Sequence, residues 1–470
     1  MWRNVHIKKL FQSLWLGLIA ISIVFLSGCE TQYPKIINIT TQSNELSFLL
    51  LDEFKNRGFI GTVPEYNSEV SVCFEDEHHE KTLMIFSIPI QYINQYDILT
   101  PIDTRLTNVT NFSLKQNGYV YQTASCDISA YYPEYLCNEK GIIISNKEYQ
   151  YQFGISPQKN SFASYSEIKT FINESRHGII FKNAFGKNTA LQSYPTPLGT
   201  RNETIIYKKG NDHRFVFWLD AEGYKPKMEP GGYILLISNE KDKDGKDIIV
   251  GVIQPPLLKD KAGKLSVNNR LKLEKQDDGR YAIEIFLDED FLTDKNTHYP
   301  LTFDTCFEMR KEKQPDTQVF SGKPFLNQYL SNYTIIGNYA EYEDSRCYIR
   351  YQFINEFGLK PEQIKSVNYI TYNITNNEQN IDLFRVTDDW CSLTSNWNTK
   401  IPYDKKVTST PASHGVNQFD ITDIAKEYAT DQSGQLQRNG LLMKSESSKW
   451  NILTSHDSSL YPTRIEIVLK

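Results

Sequence analysis

A chain of 470 residues with 40% hydrophobic side chains is long enough for two or three domains, each with its own core. Its net charge of −6 excludes a general basic field for nucleic acid. Its 29 Tyr and 25 Phe, with many Asn, Thr and Ser, favour strands and turns over helices.

The chain opens with a basic segment, Arg3, Lys8 and Lys9, and a mostly apolar run from Leu10 to Phe25. That pattern is a cleaved export signal, too short and wrongly flanked for a stable spanning helix. It closes on Leu26, Ser27, Gly28 and Cys29, which resemble a bacterial lipobox. The resemblance implies cleavage before Cys29 and a diacylglycerol on its thiol. The alternative is an ordinary signal peptide with a small-residue cleavage site, although no A-x-A pattern competes. Two acyl chains anchor firmly, since each buried methylene is worth about 0.8 kcal/mol. Residues 1–28 are thus expected to be the signal, Cys29 the lipid anchor and 29–45 a polar tether. The protein would sit on the extracytoplasmic face of a cell membrane, at the cell surface. No second apolar run is long enough to span a bilayer.

Six cysteines follow: Cys73, Cys126, Cys137, Cys306, Cys347 and Cys391. Export permits disulfides, and Cys126 and Cys137 are near enough in sequence to close a short loop. The other pairings stay open, as does the alternative of buried thiols. The absence of CxxC argues against a zinc ribbon or a thioredoxin-type site.

Past the tether, residues 47–57 have Leu and Phe at roughly helical spacing and predict a short helix. Strand signals then dominate. Residues 82–90, 141–145, 149–153 and 177–181 are apolar or alternating runs within a β-rich domain over 46–177. The block 178–312 reads as a meander, with strands at 202–207, 214–219, 233–237, 248–253, 270–273 and 281–286. Gly, Asp and Asn turns separate them at 209–212, 242–245, 261–263 and 277–279, the residue types that hairpins require.

Within that block, Ala184 to Gly186, Pro197 to Ile205, Gln254 to Pro256, Asp260 to Gly263 and Tyr299 to Asp304 occur in a recognisable order. Their order resembles the β-rich segment ahead of the repeats in Rhs/YD-repeat and wall-associated surface proteins. The YD repeats and toxin tip of those proteins are absent here.

Lys311 to Pro315 form a polar junction, and Asp316 to Val319 open a further β domain. Strands are predicted at 334–338, 346–353, 364–372, 382–386, 418–422, 439–443 and 464–469. Thr422 is the predicted N-cap of a helix over 423–429, with Ile424, Ala425 and Tyr428 as its apolar stripe. Asp316 to Val319, Arg346 to Phe353, Val386 to Trp390, Trp397, Phe419 to Thr422, Asn439 to Leu442, Ser445, Ser455 and Pro462 to Val468 resemble a DNRLRE-type β-sandwich over nearly all of 314–470. The literal Asp-Asn-Arg-Leu-Arg-Glu string is missing, and Asn396 precedes Trp397 where the pattern has Thr. Members of that group include carbohydrate-binding modules, some for acidic glycans, and surface proteins without a known ligand.

Glu75 to Glu80 concentrates metal-capable side chains, but adjacent His78 and His79 on a strand point to opposite faces, so a solvated hairpin tip is expected. Asp242 to Gly245 lacks the third acidic ligand and closing Glu of a calcium loop, which leaves a hairpin turn. No catalytic motif, cofactor site or metal site is apparent. Glycan binding needs an aromatic plane beside amide and carboxylate groups. Trp390 and Trp397 sit at family-pattern positions and are expected in the core. Trp450, in a polar stretch, is the surface candidate, with Lys449, Lys444 and Tyr461 as companions; Tyr339, Tyr342 and Arg346 are weaker ones.

The reading is an all-β protein: β-rich N-terminal modules followed by a jelly-roll-like β-sandwich. It is expected to be a non-enzymatic surface lipoprotein, joined to the membrane through Cys29, that binds polysaccharide or cell-wall glycan through residues 314–470. The alternatives are a structural or protein-interaction module with a protein partner, and a polysaccharide hydrolase or lyase hidden in 46–312.

Overall fold

A computed structural model describes residues 37–38, 57–155, 161–169, 175–210, 213–309, 316–351, 354–392, 394–458 and 461–470. The signal segment, Cys29, nearly all of the tether and the predicted helix up to residue 56, and the 311–315 junction lie outside them. The fold is all-β, built from curled antiparallel sheets. Among the described residues no helix is long and apolar enough to cross a membrane.

Two sheets form the first sandwich. One has eight strands, in the order Arg270–Lys275, Tyr281–Phe286, Arg214–Asp220, Gln150–Ile155, Ile142–Ser145, Ser129–Pro133, Tyr119–Ser125 and Asp103–Asn108. The other runs through Ser175–Lys182, Thr189–Thr196, Gly199–Ile206, Leu301–Met309, Asp247–Ile253 and Ile234–Lys241. Every second side chain of a strand faces the same way. Phe153, Phe217, Ile283 and Ile285 from one sheet therefore meet Phe181, Leu236, Phe303 and Phe307 from the other in a single buried cluster. At its centre the Phe153 and Phe307 rings stack at 3.7 Å. The predicted meander strands are all present but are dealt between the two sheets: Ile234–Lys241 pairs with Asp247–Ile253 and Arg270–Lys275 with Tyr281–Phe286, whereas Gly199–Ile206 and Arg214–Asp220 lie in different sheets.

The predicted turns at 242–245, 261–263 and 277–279 are hairpin turns, whereas 209–212, of which 211–212 lie outside the described residues, falls between strands of two different sheets. The Asp242 carboxylate accepts the N–H groups of Asp244 at 2.9 Å and Lys246 at 2.7 Å, and so caps its own turn. Asp76 does the same for His78 and Glu80 at the Glu75–Glu80 tip, both at 2.9 Å. Among the described residues no group of three His, Cys, Asp or Glu side chains is placed to hold a metal ion. None of the described cysteines forms a disulfide; Cys73, Cys306 and Cys347 are buried, and burial pushes the Cys73 thiol up to about 12.

The remaining sheet curls around a second core. Its spine is Ser71–Asp76, Lys81–Phe86, Arg464–Leu469, Ile364–Asn373, Trp450–Thr454, Tyr333–Tyr339, Glu343–Ile349, Leu441–Lys444, Gln379–Val386 and Tyr403–Ala412. Leu83, Ile85, Val367 and Ile467 from one end of this order share a cluster with Ile349, Ile381, Leu383 and Met443 from the other, so the sheet is folded back into a sandwich. The helix Thr422–Thr430 closes it with Ile424, Ala425 and Tyr428 buried. Thr422 is not its cap. The cap position is Ile421, and the Thr422 hydroxyl instead accepts the Val367 N–H at 2.9 Å, which ties the helix to the sheet.

Strand Lys81–Phe86 extends this last sandwich by pairing with Arg464–Leu469, from Leu469 opposite Lys81 to Arg464 opposite Phe86. A buried carboxylate marks the seam. Glu466 accepts from Arg464 at 2.8 Å and from Arg57 at 3.0 Å. Burial pushes its pKa up, but the two guanidinium groups outweigh burial and hold it below its ordinary 4.5. A depressed carboxylate stabilises the fold above its unfolded pKa and loses that effect as pH falls through the folded one. Glu466→Gln is therefore expected to cost roughly 1–3 kcal/mol at neutral pH, the scale of a buried group losing a charged partner. The gap between wild type and variant should close as the pH drops below 4.5. Urea midpoints measured against pH check this; a gap unchanged at low pH would contradict it.

Candidate functional site

Trp450 opens its strand opposite Gly337. A Cβ at Gly337 would meet the Lys449 carbonyl oxygen at 2.3 Å, so only glycine lets the two strands approach here. The half-buried Trp450 indole meets the Tyr339 ring edge-on at 4.4 Å. Tyr339 lies parallel to Tyr342 at 6.3 Å, and Tyr342 packs on Phe320 at 4.8 Å. These four rings form a row along one side of the last sandwich. Lys449 is exposed beside it and donates to the Glu378 carbonyl at 3.0 Å.

The other expected residues lie elsewhere. Lys444 is buried, its ammonium 3.1 Å from Glu446 and over the Phe384 and Tyr403 rings at 5.0 and 5.4 Å. Tyr461 stacks on Tyr372 at 4.3 Å. Trp390 is in the core, as read from its position, and its indole N–H donates to the Asn439 carbonyl at 2.7 Å. Trp397 is half-buried under the Arg346 guanidinium at 4.4 Å. Arg346 is itself paired with Asp344 at 2.6 Å, and Lys406 with Asp382 at 2.9 Å. Arg346, Lys406 and Lys444 are thus matched by carboxylates, while Lys449 rests on a backbone carbonyl.

The ring row ends at a cavity of about 510 Å³ between the two sandwiches. Such a volume lies within the range of small-ligand sites. Tyr342, Tyr333 and Asn332 line it from the last sandwich; Gln254, Asn268 and Asn269 line it from the first. The walls are fixed by bonds across the seam. The Tyr333 hydroxyl donates to Asp304 at 2.9 Å, and Asp304 also takes the buried Arg201 at 2.9 Å. The Gln254 amide donates to the Leu330 carbonyl at 2.6 Å, and Gln328 donates to that of Gly231 at 3.2 Å. The Tyr339 hydroxyl bonds the Val267 backbone. Tyr233, Leu235, Val252, Tyr329 and Leu330 make the dry part of the seam.

No family model matches the chain. No curated protein matches it either.

The chemistry of the cavity is that of amides and phenols. Gln254 and Asn332 are 3% and 5% exposed, and each carries a buried amide oxygen with no hydrogen-bond partner among the described residues. Buried polar groups are ordinarily satisfied, so these acceptors call for water or a ligand hydroxyl. Two lysines at the edge are internally paired, Lys323 with Glu341 at 2.5 Å and Lys227 with Glu229 at 2.6 Å, while the exposed Arg270 also lines the cavity. Lys323 also sits 4.6 Å above the Tyr342 ring. The sequence reading missed Gln254, Asn268, Asn269 and Asn332. The adjacent amides Asn268 and Asn269, in a chain stretch short of core residues, were the available signal; what joins them to Asn332 is tertiary structure.

Proposed function

We propose that this is a non-enzymatic, lipid-anchored surface protein that binds a neutral polysaccharide or cell-wall glycan in the cavity between its two sandwiches. The observation that carries the reading is the lining of that cavity, in which the amide side chains of Gln254, Asn268 and Asn332 stand beside the Tyr342 ring. Sugar hydroxyls are donors for amide oxygens, and the C–H face of a sugar packs on aromatic rings. The lining is mainly amides and phenols, and the rim lysines Lys227 and Lys323 are paired with carboxylates, which suits an uncharged ligand. The lipobox-like Leu26 to Cys29 supports the anchored location, and the DNRLRE-like pattern of 314–470 supports a glycan module. A protein-interaction role has one observation of its own: the hairpin Gln91–Ile93 to Leu99–Pro101 exposes Ile93, Tyr96 and Ile98.

The test is a glycan array and wall-polysaccharide pull-down with the whole mature chain. Retention of neutral glycans is expected. Gln254→Ala and Tyr342→Ala should each weaken binding by roughly tenfold, the scale of one lost hydrogen bond or ring contact. No retention, or variants that bind like the parent, would overturn the reading and shift weight to the protein-interaction role.

A further inference from the structure

A second cavity of about 370 Å³ lies beside the first. The turn Glu229, Pro230 and Gly231 lines both. Its floor is the ring pair Tyr233 and Tyr329, whose centroids are 5.9 Å apart in an edge-to-face arrangement. Thr394 and Asn396 supply hydroxyl and amide groups on the far side. The segment 321–326 runs past both cavities: Lys323 and Leu326 line the first, and Phe325 lines the second. Phe325 is 84% exposed, the largest exposure among the exposed apolar side chains. The ring is thus open to solvent at a cavity rim, where the C–H face of a sugar could cover it.

Resting on the glycan reading above, we infer that the two cavities are subsites of one groove, which takes a neutral oligosaccharide chain rather than a single sugar, with Phe325 as the stacking platform of the outer subsite. Three features commit the groove to a chain. Both cavities repeat the same chemistry, aromatic rings beside amide or hydroxyl groups. The turn they share is held down by the Gln328 amide on the Gly231 carbonyl at 3.2 Å, so a ligand crosses over it. The nearest lysines, Lys227 and Lys323, are paired with Glu229 and Glu341, so neither presents a free ammonium at the crossing.

The experiment uses the whole mature chain and titration calorimetry with glucose oligomers and N-acetylglucosamine oligomers of two to eight units. The expected result is affinity in at least one series that rises with length and then levels off. Phe325→Ala should weaken the longest bound oligomers by roughly tenfold and leave the shortest bound oligomer unchanged, since one ring contact is lost only where the outer subsite is filled. Tyr342→Ala should weaken long and short oligomers alike. Equal affinity at all lengths, or Phe325→Ala binding long oligomers like the parent, would overturn the two-subsite groove while leaving the glycan reading standing. Binding by no oligomer of either series, together with an empty array, would overturn both.

Discussion

Phe307→Ala is expected to lose about 3–5 kcal/mol of stability, the usual cost of emptying a core aromatic site. Phe307 is fully buried and stacks on Phe153 at 3.7 Å, with Phe217 at 5.8 Å. Its strand cannot move inward to fill the space. It is pinned on one side by Gly199–Ile206 and on the other by Asp247–Ile253, with Phe307 opposite Thr200 and Ile253. A whole domain is stable by only about 5–15 kcal/mol, so this one change removes a large fraction. Phe307→Leu keeps most of the volume and should cost less than about 2 kcal/mol. Phe112→Ala, at a 72% exposed position, should be near neutral. Guanidinium unfolding of the three variants decides it; a Phe307→Ala midpoint equal to that of Phe112→Ala would show that the two sheets do not depend on this stack. The site lies on the opposite face of the same strand, where Asp304 holds Tyr333. Glycan binding should therefore survive in the folded fraction of Phe307→Leu.

How much of this was legible follows from range. Alternation within a strand is local, and residues 281–286 and 464–469 were read with the bounds they have in the fold. Turn chemistry is local too: Asp278 accepts the Arg280 N–H at 3.0 Å beside Gly279, as an Asp-Gly turn should. Strand partners are not local. Nothing in residues 150–155 says that Phe153 will stack on Phe307, or that Arg214–Asp220 will join Gln150–Ile155 in one sheet while Gly199–Ile206 joins the other. Thr422 shows the same limit at small scale. As a sequence it is a good cap, but the hydroxyl had a competing acceptor role toward Val367, a partner 55 residues away.

The site divides in the same way. Trp450 was legible as a partly exposed ring because its neighbours Ser447, Ser448 and Lys449 are polar. Tyr339 joined its row because its strand pairs with that of Trp450, and Tyr342 follows in the short turn Ala340–Tyr342. Lys444 was misplaced for a physical reason: a lysine on a strand reads as solvent-facing, yet its ammonium sits over the Phe384 and Tyr403 rings and beside Glu446, which lets the side chain be buried. The cavity itself is assembled from turns and strand ends of both sandwiches, and no single segment carries its pattern.

A fragment of residues 314–470 expressed alone is expected not to reach the stability it has in the whole chain, although its sequence pattern reads as a complete sandwich. Strand Arg464–Leu469 pairs with Ile364–Asn373 on one side and with Lys81–Phe86 on the other. Removing residues before 314 leaves that second side as an open edge carrying Ile465 and Ile467, an invitation to aggregate. It also strips Cys73, Leu83 and Ile85, each fully buried, from the core they share with Ile349 and Leu383. Burying an aliphatic side chain is worth about 1.5–3 kcal/mol, so losing this hairpin is comparable with the whole stability of a domain. Rejoining residues 57–90 to the fragment through a flexible linker should restore soluble yield and a cooperative unfolding transition. A fragment that unfolds cooperatively without them, at the midpoint of the rejoined form, would show the hairpin to be an ornament of the sandwich. The result also governs how ligand binding can be measured. More than half of the cavity lining, including Gln254, Asn268 and Asn269, belongs to the other sandwich, so a folded 314–470 fragment would still present Tyr342 without those amides.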